Sequence, residues 1–187
     1  MCFTLLINAE NLTDDLPPRR RTFELSDTTS IKDQLKSSSH ILNAMDAVAM
    51  TDAVHIDTSV HGWKRKLKQS VSDYYSKINY AVLRKGFGYI AISHKDIDRA
   101  ITYINNEGEA VALYVVHDVI KNGVAIDVHI DHKKRGFDTI TFGAPVVLGG
   151  IRGNMAVVVK TNGRNRYKAH RIITPDGKPF FVTQHKK

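Results

Sequence analysis

From Val124 onward the apolar residues of this chain change their spacing from three-and-four to two, and that change constrains the fold more than any other feature. Val124, Ile126, Val128 and Ile130 alternate with Ala125, Asp127, His129 and Asp131. Side chains of a strand point alternately to its two faces, so a period of two marks strands with distinct faces. Further strands are expected over 138–148, 151–160 and 166–173, with a last edge strand over 179–183. Gly149-Gly150, the segment around Gly163 and Pro175-Asp176-Gly177 supply the turns. Strands joined by such short turns pair antiparallel with their neighbours.

The residues before this point carry helical signals. Ser30 with Asp33 forms a capping pair, and Ile31, Leu35, Leu42, Met45 and Ala49 follow at helical spacing. Trp63, Leu67, Val71, Tyr74, Ile78 and Val82 form the clearest amphipathic stripe, with Lys64, Arg65, Lys66, Lys68 and Lys77 on the other faces. Gly86 and Gly88 close that helix, and a strand is expected over 88–92. Ser93 with Asp96 and Asn106 with Glu109 open two more helices, the second running to about Lys121 before Asn122-Gly123 stops it. Nearer the start, 3–7 and 22–25 are expected strands, separated by a turn at Leu16-Pro17-Pro18 and Arg19-Arg20-Arg21. Helices followed by hairpin-linked strands predict an α+β fold. The helices would cover one face of an antiparallel sheet of four to five strands, with a small N-terminal α/β extension. The expected division is an acidic extension over 1–59 and a basic domain over 60–187.

Charge divides along the same line. Residues 1–59, 60–131 and 132–187 carry −4, +2 and +10, giving the net +8 of the chain. A chain polarised in this way predicts a positive face and a polyanionic partner, of which nucleic acid is the most general. Cys2 is the only cysteine, which excludes internal disulfides and thiolate metal clusters. No apolar run reaches the roughly 20 residues of a membrane helix, and Met1–Ile7 lacks the features of a secretion signal. The expected compartment is the cytoplasm.

The sheet face away from the helices is expected to be open and to hold Asp127, His129, Arg152, Asn154, Lys160, Arg166, Lys168 and His170. A slip of one residue on the last strand would exchange Arg166, Lys168 and His170 for Tyr167 and Arg171. Such a face contains the parts for cleaving RNA without a metal. His129 and His170 suit the two proton transfers because imidazole titrates near neutrality. Arg152 and Lys160 stabilise charge on phosphorus, and Tyr167 assists or stacks on a base. Asn154, Arg166, Lys168, Arg171, Lys133, Lys134 and Arg135 are the expected nucleic-acid contacts. Asp127, His129 and Asp131 on one side of a strand are also plausible ligands for a divalent ion, but no metal or other cofactor is assigned. A non-catalytic nucleic-acid- or protein-binding inhibitor of a host nuclease, binding through the same basic face, is the alternative.

Between Trp63 and Phe181 several motifs carry a family resemblance: Arg84-Lys85-Gly86-Phe87-Gly88, Ile126-Asp127-Val128-His129, Arg152 to Lys160, and Asn165 to Ile172 followed by Pro175-Asp176-Gly177. This stretch resembles a domain of the large polyvalent proteins of phages and conjugative elements. That domain in turn resembles the barnase–EndoU–colicin–RelE superfamily of metal-independent endoribonucleases. The resemblance implies helices followed by an antiparallel sheet, with Arg152, Asn154, Lys160, Tyr167 and His170 in the site. It also implies a mobile-element effector: a toxin, or a counter-defence (anti-CRISPR) protein that engages a Cas nuclease and its guide RNA.

Overall fold

The computed structural model describes residues 30–52, 56–130, 136–161 and 163–182. The strands expected at 3–7 and 22–25 and the turn between them lie outside the described residues, as do Lys133, Lys134 and Arg135. The class is α+β, and the sheet is larger than expected and mixed. Seven strands form it: β1 (Ala49–Thr51), β2 (Ala81–Arg84), β3 (Gly88–Ala91), β4 (Val124–His129), β5 (Thr139–Leu148), β6 (Ile151–Lys160) and β7 (Arg166–Ile173).

At the centre is the β5–β6 hairpin, paired without interruption from Thr139↔Lys160 to Leu148↔Ile151. β7 continues the antiparallel pairing beyond β6. On its other side β5 has two neighbours end to end: β4 runs antiparallel along Thr139–Gly143, and β1 runs parallel along Val146–Leu148. A second parallel contact joins β3 to β7 at Ala91↔Arg166. The expected all-antiparallel sheet is corrected at these two places, because no hairpin joins β1 to β5 or β3 to β7. The expected edge strand at 179–183 is reduced, among the described residues, to one bridge, Ile173↔Pro179.

The sheet curls strongly into a half-barrel. Four inter-strand steps separate β5 from β2, which in a flat sheet is about 19 Å. Yet the Arg84 guanidinium at the end of β2 lies 4.0 Å from the ring centre of Phe142 on β5. Phe87, in the β2–β3 turn, meets the same ring edge-on at 5.8 Å. Arg84 also donates to the carbonyls of Ile120, Lys121 and Gly123, so one cation draws the far hairpin to the middle of the sheet.

The helices on the concave face are α3 (Trp63–Ser76), α4 (His94–Tyr103), α5 (Glu107–Ala112) and α6 (Val116–Asn122), with a 3-10 turn at Leu113–Val115. Ser93 and Asn106 accept the Asp96 and Glu109 amides as expected of the two capping pairs. The single helix expected over 107–121 is broken at Val115, whose ψ of 7° is not helical. α3 ends at Ser76, short of the expected Val82, because Asn79 and Tyr80 take left-handed φ values of 54° and 51°. Val82 therefore enters β2 instead. Leu67, Val71, Tyr75, Ile97, Ile101, Val111, Val119 and Ile120 pack with Phe142, Met155 and Val157 in the main core.

The expectation of an open second face is corrected over half of the sheet. α1 (Ile31–Ser37) and α2 (Ser39–Asn43) lie across it, and Leu35 and Leu42 form a second core with Ala156 and Ile173. Gly143 is part of this seam: a Cβ there would come within 2.9 Å of Ile126 and 3.3 Å of Leu42. Residues 30–52 thus add two helices and a strand to the same sheet as the C-terminal hairpins. Leu42 is fully buried and Ile41 is 48% exposed. Leu42→Ala should therefore lose about 2–5 kcal/mol, and Ile41→Ala no more than about 0.5 kcal/mol, in urea unfolding followed by circular dichroism.

Candidate nucleic-acid interface

Strand register places the surface cations. His129 pairs with Thr139, Thr139 with Lys160, and Lys160 with Arg166. Paired residues share a face, so these four side chains form one row across β4, β5, β6 and β7. The next row is Asp127, Thr141, Val158 and Ala169. Both rows lie on the face opposite the main core, where Arg166 is exposed and Asp127, His129 and Lys160 are half-buried, while Thr139, Thr141 and Val158 between them are buried.

Two details shape the rows. Asp127 and His129 are two residues apart on β4 and so project to one side. Asp127 Oδ2 lies 2.8 Å from His129 Nε2, and its Oδ1 accepts the Val128 amide at 2.9 Å. Both carboxylate oxygens are therefore engaged, which fixes the imidazole. The second detail is Phe137, just before β5. Lys160 Nζ stands 4.0 Å and Lys168 Nζ 5.0 Å from its ring centre, within the range of cation–π attraction. One aromatic ring gathers two lysines from adjacent strands. Phe137 was not among the expected site residues, and only an isolated aromatic ahead of a strand could have signalled it.

The other expected site residues go inward. At Lys168 the β6–β7 ladder shifts, with Val158 opposite Ala169 but Val159 opposite Tyr167. Such a bulge turns residues on either side of the extra one to the same face. Tyr167 and His170, three apart, both enter the main core side, at 0% and 2% exposure. Arg99 of α4 holds the bulge by donating to the carbonyls of Tyr167 and Lys168 and to Asp96. Neither face pattern expected for the last strand is observed, because each assumed an uninterrupted alternation.

The buried pair is a closed hydrogen-bond chain. His170 Nε2 is 2.8 Å from the Glu109 carbonyl oxygen. A carbonyl only accepts, so Nε2 carries the proton. Nδ1, 2.6 Å from the Tyr167 hydroxyl, then accepts from it. Burial disfavours both charged forms. It pushes His170 down to about 4 and Tyr167 far above its ordinary value. At neutral pH the pair is uncharged, saturated and out of reach of a phosphate. His170 therefore does not sit on the open face on which its catalytic assignment was based.

Arg152 and Asn154 are likewise turned to internal use. Arg152 donates to the carbonyls of Leu42 and Met45 at the end of α2. Asn154, fully buried, donates to Asn43 Oδ1 at 2.7 Å. Arg171 donates to the His170 carbonyl at 3.0 Å and lies 3.5 Å from Glu109 Oε1. The residues that the structure brings together on the surface are thus Asp127, His129, Lys160, Arg166 and Lys168, beside Phe137. Asp131 lies outside the described residues; among those described, no group of three or more His, Cys, Asp or Glu side chains is placed to hold a metal ion. Nor is any described helix long and apolar enough to cross a membrane.

No known protein family, no curated protein and no solved structure matches this chain.

The buried pair predicts a pH dependence of stability. An unfolded histidine takes up a proton below about 6.5, whereas folded His170 resists until about 4. The unfolded state binds more protons between these values, so His170 contributes stability that is complete above pH 6.5 and is lost as pH falls toward 4. The full contribution is about 3 kcal/mol. His170→Gln, which cannot titrate, should be less stable at pH 7 and show a shallower loss between pH 6.5 and 4 in denaturant titrations. Equal slopes in the two proteins would refute the assignment.

Proposed function

We propose that this protein binds single-stranded RNA along the uncovered end of the sheet's outer face. The observation that carries the reading is the row His129, Thr139, Lys160 and Arg166, with Lys160 and Lys168 gathered on Phe137. Cations on neighbouring strands can contact successive phosphates, and an aromatic ring beside them offers a base a stacking surface. The sequence between β4 and β5 adds Lys133, Lys134 and Arg135. An RNA-bearing complex, such as a nuclease with its guide RNA, would present its phosphates to this face in the same way.

Binding of this kind releases counterions, so log affinity falls linearly with log salt, by roughly 0.7 per phosphate contact for a single strand. Replacing Lys160, Arg166 and Lys168 together by Ala should weaken binding of a labelled oligoribonucleotide at low salt. It should also reduce the salt slope by about 2. An unchanged slope would exclude this face.

The 2.8 Å contact between Asp127 and His129 favours a second reading on the same face, metal-independent cleavage. Asp127 orients the imidazole, His129 takes the proton of the 2′-hydroxyl, and Lys160 and Lys168 stabilise the charge on phosphorus. The 2′-oxygen forms its bond to phosphorus as the 5′-oxygen leaves and takes a proton from water, giving a 2′,3′-cyclic phosphate end and a 5′-hydroxyl end. His170 has no part in this scheme. His129→Ala should then abolish cleavage in EDTA while leaving RNA affinity within a few-fold. RNA left intact by the unaltered protein would leave the binding reading alone.

A further inference from the structure

A second candidate site lies on the helical side of the molecule, away from the sheet's outer face. We infer that the cleft between α3 and the start of α4, floored by the Tyr80–His94 pair and walled by Arg65, Lys66 and Lys68, is a nucleotide-binding site. Its volume is about 590 Å³, in the range of small-ligand sites.

The floor is built rather than incidental. Tyr80 and His94 lie with ring centres 4.2 Å apart and planes 41° apart. The Tyr80 hydroxyl donates to the Ser72 carbonyl at 2.8 Å, and Ser72 Oγ is 3.2 Å from His94 Nδ1. Ser72, on α3, thus holds both rings. The Tyr80 backbone is in the left-handed region at φ 51°, tied by its amide to the Tyr75 carbonyl and by its carbonyl to the Ile92 amide. Glycine serves that conformation without the steric cost borne by a bulky residue. What Tyr80 supplies in exchange is an aromatic ring on the floor of the cleft, while His94 remains exposed.

The wall supplies charge. Arg65 and Lys66 are exposed and make no ion pair with the described residues. Lys68 is held 2.7 Å from Asp98, and Asp73, the acid in the wall, accepts from Gln69 at 2.8 Å. Two uncommitted cations therefore face a ring pair across one opening. Cation plus stackable ring is the chemistry that recognises a phosphate attached to a base. Inorganic phosphate would use only the wall, and an uncharged nucleoside only the floor.

NMR titration of the full chain with AMP, inorganic phosphate and adenosine separates these contributions. AMP should shift the His94 imidazole and Tyr80 ring resonances saturably, with phosphate and adenosine each binding about tenfold more weakly. Tyr80→Gly, which accepts the same backbone conformation, and His94→Ala should each remove the advantage of AMP over phosphate. Replacing Arg65 and Lys66 by Ala should weaken AMP and phosphate together. Lys160→Ala with Arg166→Ala should leave AMP binding unchanged, which keeps this site independent of RNA binding on the sheet. Absence of saturable shifts at millimolar AMP would overturn the assignment. So would equal AMP affinity in the Tyr80 and His94 variants, or loss of the shifts in the sheet variant.

Discussion

The rest of the structure depends on the β5–β6 hairpin and on its burial from both sides. Its ten paired positions run from Thr139↔Lys160 to Leu148↔Ile151 without a break. Met155 and Val157 face the main core, while Ala156 faces Leu35 and Leu42 in the second. A strand buried on both faces has no solvent side on which polar residues are free to stand. Arg152 and Asn154 must find partners inside the protein, and they do so at the end of α2. Beyond α1 and α2, toward Lys160, this face carries the side chains of Lys160 and Arg166.

Three arginines have a structural use. Arg84 satisfies the carbonyls at the end of α6, Arg99 those of the β7 bulge, and Arg152 those at the end of α2. These carbonyls lie where a helix ends or the strand ladder is interrupted, places at which the regular pattern leaves acceptors free for a side chain. The guanidinium suits this work, because it donates in several directions and stacks, as Arg84 does on Phe142. Net charge therefore overstates the charge available to a partner. The proposed sites draw on other cations, Lys160, Arg166 and Lys168 on the sheet and Arg65 and Lys66 beside α3.

The strand pattern of the C-terminal third was legible in detail. β6 and β7 have the limits that alternation implies, and the turns fall at the expected glycines. The face assignment was legible only as far as alternation held. The bulge at Lys168 reverses it for His170, while Tyr167 stays on the inner side that the first reading gave it, and the bulge is held by residues far apart in sequence, Arg99 with the Tyr167 and Lys168 carbonyls. Of the surface row, Lys160 and Arg166 were legible by strand position. Phe137 was not, because its role comes from two lysines that meet only when β6 and β7 pair.

The sequence by itself determined which segments become helices or strands over most of the described chain, because period, caps and turn residues act over a few positions. It also determined the polarised charge, which is a matter of composition. Tertiary structure decided the rest: that residues 30–52 join the sheet and cover half of its second face, that the sheet curls until Arg84 reaches Phe142, and that His170 is a buried neutral acceptor. These outcomes rest on contacts between segments separated by tens of residues. Local periodicity gives each strand two faces, and only packing decides which one water reaches.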